Sequence, residues 1–164
     1  MPKLFVGAWL PPKVRAVLAD YPRPAVGDVR WSTPEQWLIS LRPLGDVTAD
    51  RVSALADALR FELDGAPKAK AAFGPVRREG WLLADVTGLE DLVDVVFDST
   101  MQLVPATHRT SWTAHVVLAR GRCPKELVAP LTAKWTVGEV VLARATRTKA
   151  GPGYETVAAL ALGA

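Results

Sequence analysis

The chain is poor in cysteine: Cys123 is the only one in 164 residues. That excludes an intramolecular disulfide and any cysteine cluster able to hold zinc. The surrounding "GRCPKEL" reads as the start of a short helix with Pro124 at its first position rather than as the setting of a nucleophilic thiol. Long apolar runs are missing too. None approaches the roughly 20 residues that cross a bilayer, so no membrane partner is expected. The opening "MPKLFVGAWLPPK" has a single lysine, a short apolar stretch broken by Pro11-Pro12, and no small-residue cleavage pattern. No signal peptide is read there, and a cytoplasmic location is the expectation. Neither sign of charge dominates: 20 Lys and Arg face 17 Asp and Glu, for a net charge of +3. A polyanionic partner is permitted but not demanded. Histidine is scarce, with only His108 and His115. No metal site and no cofactor are suggested.

Periodicity, in contrast, is plentiful. Residues 3–9 alternate as a strand, and "PPKVRAVLADY" spaces Val14, Val17, Leu18 and Tyr21 as a helix with prolines at its start. Residues 29–32 and 36–42 read as strands separated by Thr33-Pro34-Glu35. Thr48 is placed to cap a helix whose stripe is Val52, Leu55, Ala56, Leu59 and Leu63. A hairpin over 68–74 and 80–86 precedes a capping-box pattern, Thr87 and Glu90, that opens a helix running to about Leu103. "WTAHVVLAR" alternates again. A short helix near 124–133, interrupted by Pro130, and two strands, about 136–146 and 154–162 around "KAGPGY", finish the chain. The short connections favour antiparallel pairing, so the expectation is one α+β domain over residues 1–164, built of two comparable lobes.

Two strands carry the polar groups of interest. In "QWLISLRPLG" the residues Trp37, Ile39 and Leu41 fall on one face, and Gln36, Leu38, Ser40 and Arg42 on the other. In the second strand Thr113, His115, Val117 and Ala119 share a face, and strict alternation sends Arg120 to the opposite one, with Ala114, Val116 and Leu118, unless the strand bulges. Trp31 and Trp112 lie near these strands and could stack a nucleobase, although packing explains them as well.

The segments "KLFVGAWLPPKVRAVL", "VRWSTPEQWLISLRPLGDV" and "WTAHVVLARGR", followed by "EVVLARATRTKAGPGYETVAALAL", resemble the landmarks of the 2H phosphoesterases. The bacterial RNA 2′,3′-cyclic phosphodiesterases, once called 2′-5′ RNA ligases, are the group they look like most. The resemblance implies a bilobal, pseudo-symmetric fold, with two mostly antiparallel sheets lining a central cleft and helices packed outside. It implies two His-x-Thr/Ser motifs whose histidines flank a cyclic phosphate. One activates water, the other protonates the departing oxygen, and the hydroxyls bind phosphate oxygens. Attack and departure are roughly in line, so two titratable groups are needed, and imidazole suits both roles.

Both motifs are degenerate here. The first falls on Leu38-Ile39-Ser40, where the histidine is Leu38 and the hydroxyl survives as Ser40. The second falls on His115-Val116-Val117, where the histidine survives and the hydroxyl is lost to Val117. The resemblance therefore assigns His115 and Ser40 to chemistry and sets Leu38 and Val117 against the substrate; Arg42, on the face of Ser40, and Trp112, beside the second motif strand, are read as further substrate contacts. The partner it implies is an RNA end, a nucleotide or another small phosphate-bearing ligand, bound by a protein expected to be monomeric, with hydrolysis impaired. Two other readings stand beside it: a non-catalytic binder of nucleotides or RNA ends, and a repurposed enzyme of specialised metabolism with a non-nucleotide substrate.

Overall fold

Residues 2–105, 112–149 and 151–163 are described by the computed structural model of the chain. The first strand, β1 (Lys3–Trp9), buries Leu4, Val6 and Ala8 as its alternation requires. Pro12 then opens α1 (Pro12–Ala19), which sinks Val14 and Leu18 into the core. The short β2 (Arg30–Trp31) and a single 3₁₀ turn at Pro34–Gln36 lead into β3 (Leu38–Asp46). Next come α2 (Ala49–Asp64), the hairpin of β4 (Ala69–Glu79) and β5 (Trp81–Thr87), and α3 (Glu90–Thr100). The chain closes with β6 (His115–Arg120), β7 (Lys134–Val137), β8 (Glu139–Thr148) and β9 (Gly151–Ala161).

All pairings are antiparallel, and the strand order is β7-β4-β5-β6-β3-β1-β8-β9, with β2 beside β6. The halves β7-β4-β5-β6 and β3-β1-β8-β9 are the two expected lobes. They meet where Ser40 on β3 pairs with His115 on β6, so the two sheets are continuous through that point. Side chains on one face join the main core with Leu55, Leu59 and Leu63 of α2 and Leu92 and Val96 of α3. The other face carries a small cluster of Leu38, Val141 and Ala143, covered by Phe5, Trp9 and Tyr154.

Two register shifts decide which side chains face the junction of the lobes. On β3, Gly7 pairs with Ser40 but its neighbour Val6 pairs with Arg42, so Leu41 is an extra residue. On β6, Leu83 pairs with Val117 but Leu82 pairs with Ala119, so Leu118 is extra. A bulge of this kind shifts the face of every later side chain by one position. Glycine at position 7 is what lets β3 lie so close. A Cβ there would stand 2.5 Å from the Ile39 carbonyl oxygen and 2.7 Å from Leu38 Cγ.

Some local expectations give way. The Thr87–Glu90 capping box does not form: Thr87 Oγ1 donates to the Ala72 carbonyl across the hairpin, and Glu90 accepts from the Gly88 N–H instead. Thr48 sits at the N-cap of α2 without a side-chain capping bond. The helix expected near 124–133 is only a 3₁₀ turn at Lys125–Leu127, consistent with Pro130 forbidding a longer run.

Candidate functional site

A cavity of about 330 Å³ lies where the two lobes meet. Leu38 and Ser40 reach it from β3, and His115 and Val117 from β6, with Trp112 beside them. Ser40 and His115 are direct cross-strand partners, and such pairs have neighbouring side chains on one face. The polar groups Ser40 and His115 therefore stand together. Leu38 and Val117, one step along each strand, form the apolar remainder. At the centre of the cavity a polar pair, Ser40 and His115, therefore stands next to an apolar pair, Leu38 and Val117.

His115 is half-buried, and its ring is fixed from two sides. Its Nδ1 lies 2.8 Å from the Thr113 carbonyl. A carbonyl can only accept, so that contact requires the proton on Nδ1 and leaves Nε2 as the nitrogen free for a ligand. The Trp112 ring packs on the imidazole with centroids 5.3 Å apart, and the Trp112 indole N–H donates to the Ser40 carbonyl at 3.2 Å. Trp112 thus ties the two motif strands together besides walling the cavity. On the other flank of His115 the paired residue is Asp85. Both oxygens of Asp85 accept from Arg77 Nε, at 2.7 and 2.9 Å, so this carboxylate is engaged away from the imidazole.

Leu38 is buried against Val141, Ala143, Phe5 and Tyr154. It is a packed floor residue, not a loose side chain in an open cleft. Tyr154 meets Phe5 edge-on with ring centroids 5.2 Å apart. Burial pushes the Tyr154 hydroxyl above its ordinary pKa, opposed by the nearby Arg120 charge. At neutral pH it is a neutral phenol.

The placement of Arg42 is corrected by the structure. Alternation put it on the cavity face beside Ser40. The Leu41 bulge turns it to the core face instead, where it is 2% exposed. Its guanidinium donates to the Thr100 hydroxyl and the Val104 carbonyl and lies 4.9 Å from the Phe97 ring centroid. Burial pulls its pKa below the usual arginine value. It staples β3 to α3 and the segment after that helix, and cannot touch a ligand in the cavity.

Arg120 is the residue that sequence reasoning missed. The Leu118 bulge returns it to the cavity face, which strict alternation denied. The guanidinium sits over the Trp81 ring, 5.2 Å from its centroid, and makes no ion pair among the described residues. The run Val116-Val117-Leu118-Ala119, too apolar for simple alternation, was the available signal. Phe5, Gln36, Pro43 and Pro152 complete the wall, and Gln36 is held by a bond from its amide to the Pro152 carbonyl. Trp31 packs near Tyr21 instead, with its indole N–H on the Pro24 carbonyl. His108 lies outside the described residues. Among the described residues no cluster of His, Cys, Asp or Glu could hold a metal, and no helix is long and apolar enough to cross a membrane.

Two lobes offering paired central strands to one cavity define an architectural class, and comparison with solved structures identifies it. The chain is similar to E. coli LigT complexed with 3′-AMP over 99% of both chains, with a TM-score of 0.81 and 19% identity. It is similar to TT0787 of Thermus thermophilus over 98% of this chain and 97% of that one, with a TM-score of 0.75 and 24% identity. The MHV ns2 PDE domain matches 88% of this chain and 99% of its own, with a TM-score of 0.58 and 18% identity. The fold is that of the 2H phosphoesterases. No protein-family model matches the sequence, and no curated protein matches it.

Proposed function

We propose that the cavity binds a small phosphate-bearing ligand, a nucleotide or an RNA end with a 2′,3′-cyclic phosphate, and hydrolyses it slowly at best. The observation that carries this reading is the Ser40–His115 pair, with Arg120 on the same cavity wall. A hydroxyl and a guanidinium that makes no ion pair among the described residues can donate to phosphate oxygens, and Nε2, with the ring proton on Nδ1, can accept a proton from water or a ribose hydroxyl. The structures of E. coli LigT with 3′-AMP, phosphate, NADP+ and ATP support the ligand class by likeness of fold.

In such a site His115 Nε2 takes a proton from water or gives one to the departing ribose oxygen. Ser40 and Arg120 hold the phosphate. The opposite side of phosphorus would face Leu38, which can neither accept nor donate. One of the two proton transfers then falls to solvent, a deficit of about 10²–10⁴ in rate. A purely binding role is the second reading, favoured by the burial of Leu38 in an apolar floor.

Turnover of nucleoside 2′,3′-cyclic phosphates separates the readings. Slow hydrolysis that disappears in His115→Ala is expected. Leu38→His combined with Val117→Thr should raise turnover at least about tenfold by restoring the second acid/base and its hydroxyl. Hydrolysis unchanged in His115→Ala would refute the assignment. No turnover in either protein, with nucleotide binding retained, would leave the binding role.

A further inference from the structure

A second concavity, of about 690 Å³, lies away from the motif strands, between the start of α1 and the β4–β7 edge of the sheet. Lys13, Lys70, Lys134, Thr87, Thr136 and Trp135 are among the residues that line it, and among the described residues no carboxylate does. The three lysines are exposed, and none makes an ion pair among the described residues. Of the two acids nearest along the chain, Glu90 accepts from the Gly88 N–H and Asp85 accepts from Arg77.

Strand register sets the spacing of these charges. Lys70 pairs with Thr136 and Ala72 with Lys134. Lys70 and Lys134 are therefore diagonal neighbours on one face, rooted about 7–8 Å apart on the backbone. That is comparable with the separation of successive phosphates along a nucleic-acid strand. The beginning of α1 adds to the field. It has no acid in its first turn and no side-chain cap, so the positive end of its dipole stays uncompensated beside Lys13. Because β7 ends the sheet order, the groove is open along one side to an extended chain.

We propose that this groove takes the phosphodiester backbone of single-stranded RNA. The identity of the polyanion rests on the reading of the cleft as a nucleotide site; the charge of the groove does not. Lysines bind phosphate as point charges, and Trp135 is buried, at 7% exposure, leaving no stacking platform. Binding there is independent of base sequence. A strand held in the groove would add affinity that a mononucleotide in the cleft cannot gain.

The test is fluorescence anisotropy with a labelled twelve-nucleotide RNA bearing a 3′-phosphate, titrated at several salt concentrations. Nucleoside 3′-monophosphate binding is measured in parallel. The wild type should bind RNA with a log–log salt slope of about −2, the value for three phosphates neutralised on a single strand. Lys70→Glu with Lys134→Glu should weaken RNA binding about tenfold or more and flatten the slope, leaving mononucleotide affinity and the circular-dichroism spectrum unchanged. Arg120→Ala should do the reverse, weakening the mononucleotide while preserving the salt slope for RNA. Unchanged RNA affinity and slope in the double charge reversal would overturn the proposal, as would equal competition by polyglutamate. Loss of mononucleotide binding alone would count against the cleft and not the groove.

Discussion

The two central strands, β3 and β6, follow the same plan with different residues. Each puts two side chains on the cavity wall, admits one extra residue, and then returns a third side chain to the wall. β3 supplies Leu38, Ser40 and Pro43 in this way, and β6 supplies His115, Val117 and Arg120. The position just before the return points into the core on both strands. It is Arg42 on one and Ala119 on the other, and both are buried. The bulge therefore decides which arginine belongs to the site. One residue of register separates a guanidinium that holds the fold together from one that lines the cavity.

Breaking His115 should have the largest effect. Its replacement by alanine is expected to lower the rate constant for cyclic-phosphate hydrolysis by about 10²–10⁴, measured as single-turnover kinetics with excess protein. Next comes Arg42→Ala, which empties a buried site and strips the Thr100 hydroxyl and Val104 carbonyl of their donor. A loss of about 2–4 kcal/mol in urea unfolding is expected, with nucleotide affinity nearly unchanged in the folded protein.

Arg120→Ala should show the converse. Nucleotide affinity falls by about 1.5–3 kcal/mol, as for a hydrogen bond to a charged group. Stability falls by less than about 1 kcal/mol, the worth of an exposed cation–π contact. If the two arginine variants gave the same pattern, the bulges would not divide their roles. Gly7→Ala should cost about 1–3 kcal/mol of stability, because the new methyl meets the Ile39 carbonyl and the Leu38 side chain. A neutral result would mean that β1 and β3 are not held this closely.

Much of the fold could be read directly from residue patterns. The alternation of residues 3–9 and the Leu55, Leu59 and Leu63 stripe are found as expected, because burial on one face dictates both periods. Ser40 and His115 stand on the strands to which their own alternation assigned them. Periodicity failed where it was interrupted. An extra residue moves every later side chain to the other face, so plain alternation assigns Arg42 to the cavity and Arg120 to the core, and only the unbroken apolar run Val116–Ala119 hints at the bulge on β6. The contributions of Phe5, Trp81 and Tyr154 come from strands distant in sequence, and only the assembled sheet brings them together. That Leu38 and Val117 form one side of the site, and Ser40 and His115 the other, likewise depends on strand register.

A crystal structure with a nucleoside 3′-monophosphate bound would test this arrangement most directly. Phosphate oxygens within hydrogen-bonding distance of Ser40 Oγ, His115 Nε2 and the Arg120 guanidinium, with only apolar contact to Leu38, are the predicted result. A phosphate seated outside the cavity, or a His115 ring that makes no contact with it, would contradict the account.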